Sequence, residues 1–174
     1  MEDKLKYIYD DVYRWLVFAE TKNGVIVTIL LVLVERITSN CNTKQWNLFK
    51  YCVLFFIIVS ILILAFSFIT YLNNCEFIKK SIARKYYKKF YMKNTIFYGS
   101  IYFWSKEKKY TEIIKEKYNS NVELNFFEKD LVEQIGEVSE VTLIKIWFFE
   151  MAVKVLIIGA GFSTIVLAYC AKYR

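Results

Sequence analysis

Residues 51–72 read YCVLFFIIVSILILAFSFITYL, 22 positions without a charged side chain. As a helix rising about 1.5 Å per residue, the stretch is about 33 Å long, enough to cross a bilayer core of about 30 Å. A water-soluble helix of that length presents a polar face, and this one has none. The stretch is therefore a membrane span.

Two further stretches flank it. Upstream, Asn23–Val34 is uncharged but only about 18 Å long as a helix, too short to cross alone. Extension back to Trp15 gives a full span and brings Glu20 and Lys22 into it. Residues 15–37 then either cross the bilayer or lie along its surface. Downstream, Val155–Ala171 is 17 residues long, and extension back to Ile146 includes Glu150 and Lys154. Those two are four apart with the acid first, the favoured order for a helical ion pair.

The chain contains no proline, which suits long uninterrupted helices. Three are expected. The first covers 4–37 and ends at the polar turn Ser39–Asn42. The second covers 45–73, with Trp46 and Tyr71 as interfacial anchors. The third covers 126–173 and opens on Asn125 and Glu128, spaced as a capping box. A shorter helix is expected over 105–118, where Tyr110, Ile113, Ile114 and Tyr118 form an apolar stripe. The stretch 94–101 suits a short strand or a buried extended segment, either walling a pocket or packing beneath that helix. The fold class is an all-α membrane protein: three long transmembrane helices with a small cytosolic insert between the second and third. By segment, 1–74 holds the N-terminal helix and first two spans, 75–125 the basic insert, and 126–174 the long C-terminal helix.

Composition narrows the chemistry. There is no histidine, the commonest general base and zinc ligand. Cys41, Cys52, Cys75 and Cys170 are far apart and form no C-x-x-C pair, so neither a metal site nor a disulfide framework is indicated. No phosphate-binding glycine loop or hydrolase motif occurs. The chain reads as a non-enzyme without metal or cofactor. Its N-terminal 11 residues are mixed in charge and do not read as a cleavable signal peptide.

Charge sets the orientation and marks one segment. Between the uncharged runs of the first two spans the only bases are Arg36, Lys44 and Lys50, whereas residues 75–140, between the second and third, carry thirteen Lys and Arg. By the positive-inside rule that segment is cytoplasmic, as is the N-terminus. The 75–140 region is thus on the inner side, and the tail with Lys172 and Arg174 outside. Lys79, Lys80, Arg84, Lys85, Lys88, Lys89 and Lys93 follow one another without an acid, and account for the net charge of +7. Tyr86, Tyr87, Phe90 and Tyr91 interleave them. Three readings stay open: a segment lying on anionic headgroups, a site for a small anionic ligand, and nucleic-acid binding. A membrane-anchored chain with no other nucleic-acid feature disfavours the last.

The pattern Ala19-Glu20-Thr21-Lys22-Asn23-Gly24, then Asn94-Thr95-Ile96-Phe97-Tyr98-Gly99-Ser100-Ile101, then Asp130-Leu131-Val132-Glu133-Gln134-Ile135 followed by Ser139 and Lys145, resembles the transmembrane effectors of Pycsar antiphage systems. The resemblance covers nearly the whole chain in family order. Ser100 stands where an acid is usual, and Ile146 where an aromatic often follows the lysine. The resemblance implies a non-enzymatic effector. It would sense cyclic CMP or cyclic UMP from a partner cyclase, without needing to touch that cyclase, and impair the inner membrane in an abortive response.

A receptor for such a ligand needs cations for the phosphate, an aromatic face for the base and polar groups for its edge. Candidates are Arg84, Lys85 and Lys93, then Tyr86 or Trp104, then Asn94 and Ser100. Ionisable and polar groups inside the spans mark the gating candidates Glu20, Lys22, Asn23, Lys145, Glu150 and Lys154. Glu20 is expected to pair with Lys145 or Lys154, as a plain interhelical contact or as part of a gate. Gly159 with Ser163, and Ala160 with Thr164, give small-xxx-small spacings that favour close helix packing and a homo-oligomer. The alternatives are an accessory membrane subunit with no ligand, and an effector gated by a cyclic oligonucleotide.

Overall fold

The computed structural model describes residues 1–39, 47–69, 76–90, 96–118 and 123–172. The turn at Asn40–Asn42, the anchors Trp46 and Tyr71, and the candidates Lys93 and Asn94 lie outside these residues. Six helices follow in order: α1 Glu2–Ser39, α2 Asn47–Phe66, α3 Glu76–Phe90, α4 Tyr98–Lys106, α5 Tyr110–Lys117 and α6 Phe126–Lys172. No strand occurs among the described residues. Three helices are long and apolar enough to cross a membrane: Glu2–Ser39, Leu48–Phe66 and Phe126–Tyr169. The all-α, three-span expectation holds, and the chain is a multi-pass membrane protein.

Local chemistry explains several helix ends. At the start of α6, Glu128 N–H donates to Asn125 Oδ1 at 2.8 Å and Asn125 N–H donates to Glu128 Oε2 at 3.0 Å. This is the reciprocal capping box expected from the sequence. Helix α2 stops at Phe66, short of the expected 73. Its last turn tightens, with Ser67, Phe68 and Ile69 N–H bonding three residues back. The Ser67 hydroxyl also donates to Leu64 C=O at 2.6 Å, so a side chain competes for a carbonyl of the helix end.

The expected helix over 105–118 is two helices. Lys109 N–H bonds Trp104 C=O at 2.9 Å, Lys108 N–H bonds Ser105 C=O at 3.0 Å, and Lys108 has φ 57°. That combination is a Schellman motif with a lysine at the left-handed position usually held by glycine. The expected strand or extended segment is corrected as well: α4 begins at Tyr98, and residues 98–104 are all buried. A segment buried on every side shows no alternation. A helix also satisfies its backbone within itself, starting with Ser100 and Ile101 N–H on Phe97 C=O.

By packing, the chain divides into two compact units: Met1–Glu20 with Tyr71–Ile146, and Thr21–Thr70 with Trp147–Arg174. Helices α1 and α6 contribute to both. In the first unit the buried side chains include Leu5, Ile8 and Val12 of α1, Ile78, Ile82 and Tyr86 of α3, and Leu131, Ile135, Ser139 and Leu143 of α6. Each set recurs at three- or four-residue intervals, the spacing of one helical face. In the second unit Leu30, Ile57, Leu64 and Ala152 form a core, joined by Ile26, Val34, Ile61 and Leu156. Its outward surface carries Ile29, Leu33, Phe55, Ile58, Leu62, Ile157, Ile158 and Ile165. In a water-soluble bundle such a surface would be a large apolar patch; in a membrane it faces hydrocarbon.

Gly159 explains how α2 and α6 approach. A Cβ added there would lie 2.5 Å from Phe56 Cβ. The Gly159–Ser163 face therefore packs within the chain, with Ser163 buried. Gly161 has nothing within 4 Å of its would-be Cβ. Gly159→Ala is expected to destabilise the protein by about 1–3 kcal/mol through overpacking. Gly161→Ala should be neutral or stabilising by up to about 1 kcal/mol through helix propensity. Thermal unfolding of both variants in detergent micelles checks the contrast.

Candidate functional site

The first unit holds most of the chemistry, and α3 sorts it by face. Ile78, Ile82 and Tyr86 point inward at four-residue spacing, while Lys80, Arg84 and Lys85 are exposed. Lys85 Nζ donates to the Tyr86 hydroxyl at 3.0 Å. Lys79 has another fate: its Nζ lies 2.9 Å from Glu140 Oε1 on α6. Lys106, at the end of α4, reaches the other oxygen, Oε2, also at 2.9 Å. One carboxylate thus ties α3 and α4 to α6.

A cleft of about 530 Å³ opens beside this tie, within the volume range of small-ligand sites. Tyr102, Ser105 and Lys106 of α4, Lys108 of the turn, Tyr110 and Thr111 of α5, and Glu133, Gly136, Glu137 and Glu140 of α6 line it. Two features shape it. The left-handed Lys108 sharply separates α4 from α5. Gly136 lets α4 sit close: a Cβ there would fall 2.8 Å from Ser105 Oγ. That hydroxyl is buried and has no hydrogen-bond partner among the described residues. Trp104 and Tyr110 stack at 6.5 Å beneath the turn.

Burial pushes the Tyr86 hydroxyl up to about 12. Tyr102 is also pushed up to about 12, by burial first and then by the nearby Glu140 carboxylate. Burial raises Tyr98 and, further still, Tyr110. These phenols are neutral packing groups in any physiological state.

The ligand residues expected from sequence are not gathered into one pocket. Arg84 and Lys85 are exposed on α3, whereas Tyr86, Ser100 and Trp104 are buried. Lys93 and Asn94 lie outside the described residues. Sequence reading missed the cleft because α6 supplies one wall from far along the chain. Glu140 carried no local signal, and Lys106 stood apart from the basic run.

The gating candidates are placed as follows. Lys145 pairs with Glu20 at 3.1 Å and is one of the two expected partners; the Lys145 side chain is 8% exposed and that of Glu20 46%. In the second unit, the Lys22 ammonium lies 3.8 Å from the Phe149 ring centroid. Asn23 is buried and donates to Ser67 Oγ at 3.1 Å. Glu150 is half-buried and Lys154 exposed.

Residues 4–171 match the model of one protein family, described as the Pycsar effector protein domain. No curated protein and no solved structure matches the chain.

Glu20→Gln removes the carboxylate facing a buried ammonium and should cost about 2 kcal/mol. Lys145→Met leaves a half-exposed acid that water can solvate and should cost less than about 1 kcal/mol. Thermal unfolding of the single and double variants in detergent measures the asymmetry. The tyrosines give an alkaline limit. Unfolded phenols ionise near pH 10, while Tyr86 and Tyr102 hold their protons to about 12. Stability from their burial is complete below pH 10 and is lost as pH rises from 10 to 12. In an absorbance titration their ionisation should coincide with unfolding, seen in parallel by circular dichroism.

Proposed function

Because this chain belongs to the Pycsar effector family and is thereby an antiphage transmembrane effector, we propose that it is both sensor and executioner. It binds cyclic CMP or cyclic UMP made by a partner cyclase, then impairs the inner membrane so that the infected cell stops before phage matures. The N-terminus and the 75–140 region face the cytoplasm, where the nucleotide is made.

One observation carries this reading. A single uninterrupted helix, α6, carries a wall of the polar cleft at Val132–Glu140 and the small buried residues Ala152, Gly159 and Ser163 of the second unit. A ligand acting on the first part therefore acts on the same backbone that serves the second. The exposed bases of α3, Arg84 and Lys85, draw an anion toward the first unit. Buried Tyr86, Ser100 and Trp104 hold the frame around it. Three spans are too few to enclose a pore, so subunits assemble. The available small face is Ala160, Gly161 and Thr164, which is exposed; Gly159 and Ser163 are spent within the chain.

Liposomes containing the purified protein test the reading. Titration with cyclic CMP, cyclic UMP, cyclic AMP and a cyclic dinucleotide should release entrapped dye with one cyclic pyrimidine nucleotide only. Release by the dinucleotide alone would transfer the ligand assignment to a cyclic oligonucleotide. No release by any of them, from inserted and folded protein, would point to an accessory subunit.

A further inference from the structure

Glu140 occupies a position that its chemistry makes interchangeable with a ligand. Two ammonium groups from different helices, Lys79 and Lys106, converge on its two oxygens at 2.9 Å each; the Lys79 contact is ionic, without hydrogen-bond geometry at Oε1. The Glu140 side chain is 16% exposed, and those of Lys79 and Lys106 are 29% and 49% exposed. The arrangement is therefore shielded on the acid side and open to solvent on the basic side. A phosphodiester carries one negative charge on two terminal oxygens, the same charge and the same two-pronged form as a carboxylate. Glu140 and Lys106 line the 530 Å³ cleft, and so does the buried Ser105 hydroxyl, which has no partner among the described residues. A cavity, two converging cations and an unsatisfied hydroxyl thus lie around Glu140, while the other carboxylates of the lining, Glu133 and Glu137, are exposed to solvent, as is Lys108.

We propose that Lys79 and Lys106 form a phosphodiester-binding site and that Glu140 is its resident occupant, displaced when the ligand's phosphate takes the two lysines. The inference rests on the cyclic-nucleotide reading above and adds the place and manner of recognition. Displacement has a mechanical consequence. In the resting state Glu140 links α3 and α4 to α6 through ionic contacts. With phosphate on the lysines, the carboxylate leaves them and α6 loses both ties. The resting pair therefore opposes binding and holds the unliganded state, so that affinity and activation are coupled through one side chain.

The phosphodiester could belong to a cyclic nucleotide or to a lipid headgroup, since both carry the same monoanion. Equilibrium binding of cyclic CMP and cyclic UMP to the full chain, in a phospholipid-free maltoside detergent, separates these sources when repeated with added phosphatidylglycerol. Glu140→Gln should bind the preferred nucleotide about tenfold tighter, because the competing charge is gone. Lys79→Gln with Lys106→Gln should weaken it by about tenfold or more. Arg84→Gln with Lys85→Gln removes exposed bases that steer the anion without holding it; it should weaken binding by about threefold, less than the loss of Lys79 and Lys106. Glu140→Asp keeps the charge but reaches one methylene less far; it should shift affinity the same way by less, and it decides the matter if Glu140→Gln does not fold.

Unchanged or weaker binding by the Glu140 variants, or loss confined to the Arg84 and Lys85 pair, would overturn the inference while leaving the cyclic-nucleotide reading intact. If only phosphatidylglycerol binding responds to Glu140 and the two lysines, the site is a headgroup site and the assignment to the nucleotide fails. If the wild-type chain binds no cyclic nucleotide, the parent reading fails and this inference with it.

Discussion

Hydrocarbon offers no partner to a backbone N–H or C=O, so every peptide group that enters it must be bonded within its own segment. That constraint underlies the architecture here. It accounts for helices α1, α2 and α6, which are 38, 20 and 47 residues long, and for a chain without proline. It also limits where polar side chains sit. Asn23 donates to Ser67, and Ser60 donates to the carbonyl of Phe56, so these two donors of the second unit have acceptors inside the protein, whereas the buried Ser163 hydroxyl has none among the described residues. Close backbone approach at Gly159 against Phe56 supplies van der Waals packing, the main attraction left between helices when lipid is as apolar as the side chains.

The first unit follows a different rule, since charge can be used there at modest cost. The basic run on α3 is divided by helical geometry into an exposed set, Arg84 and Lys85, and an inward lysine, Lys79, that meets Glu140. The same carboxylate takes Lys106 from α4. Burial raises the hydroxyls of Tyr86 on α3, Tyr102 on α4 and Tyr110 on α5, so these aromatic residues pack as neutral groups. What remains responsive is the set of ion pairs on α6, with Glu140 holding two lysines and Lys145 holding Glu20. Such pairs contribute little net stability compared with apolar packing, but each has a definite alternative state in which a competing ion or water takes over.

Several elements were legible from local sequence because their signals are local. The spans show in uncharged runs, and the α6 start shows in Asn125 and Glu128; between Lys145 and Lys154 as the partner of Glu20, only the meeting of α1 and α6 chose Lys145. The break between α4 and α5 was not legible. Its left-handed residue is Lys108 rather than glycine, and the Schellman bonds that hold it involve Trp104 and Ser105 backbone carbonyls that leave no mark on composition. The helix over Tyr98–Lys106 was hidden because a segment buried on all sides loses its periodicity.

The sequence by itself determined that this is a helical membrane protein with long apolar helices, leaving 15–37 between crossing and surface, and that its net charge lies in one segment. Those properties depend on length, charge and hydropathy, which add along a chain. Only the tertiary structure decided which of the bases face inward, that Glu140 sits between Lys79 and Lys106, and that Gly159 is used for packing within the chain. These depend on which faces of separate helices meet. That is set by side-chain shape and close packing between segments far apart in sequence, and linear patterns do not encode it.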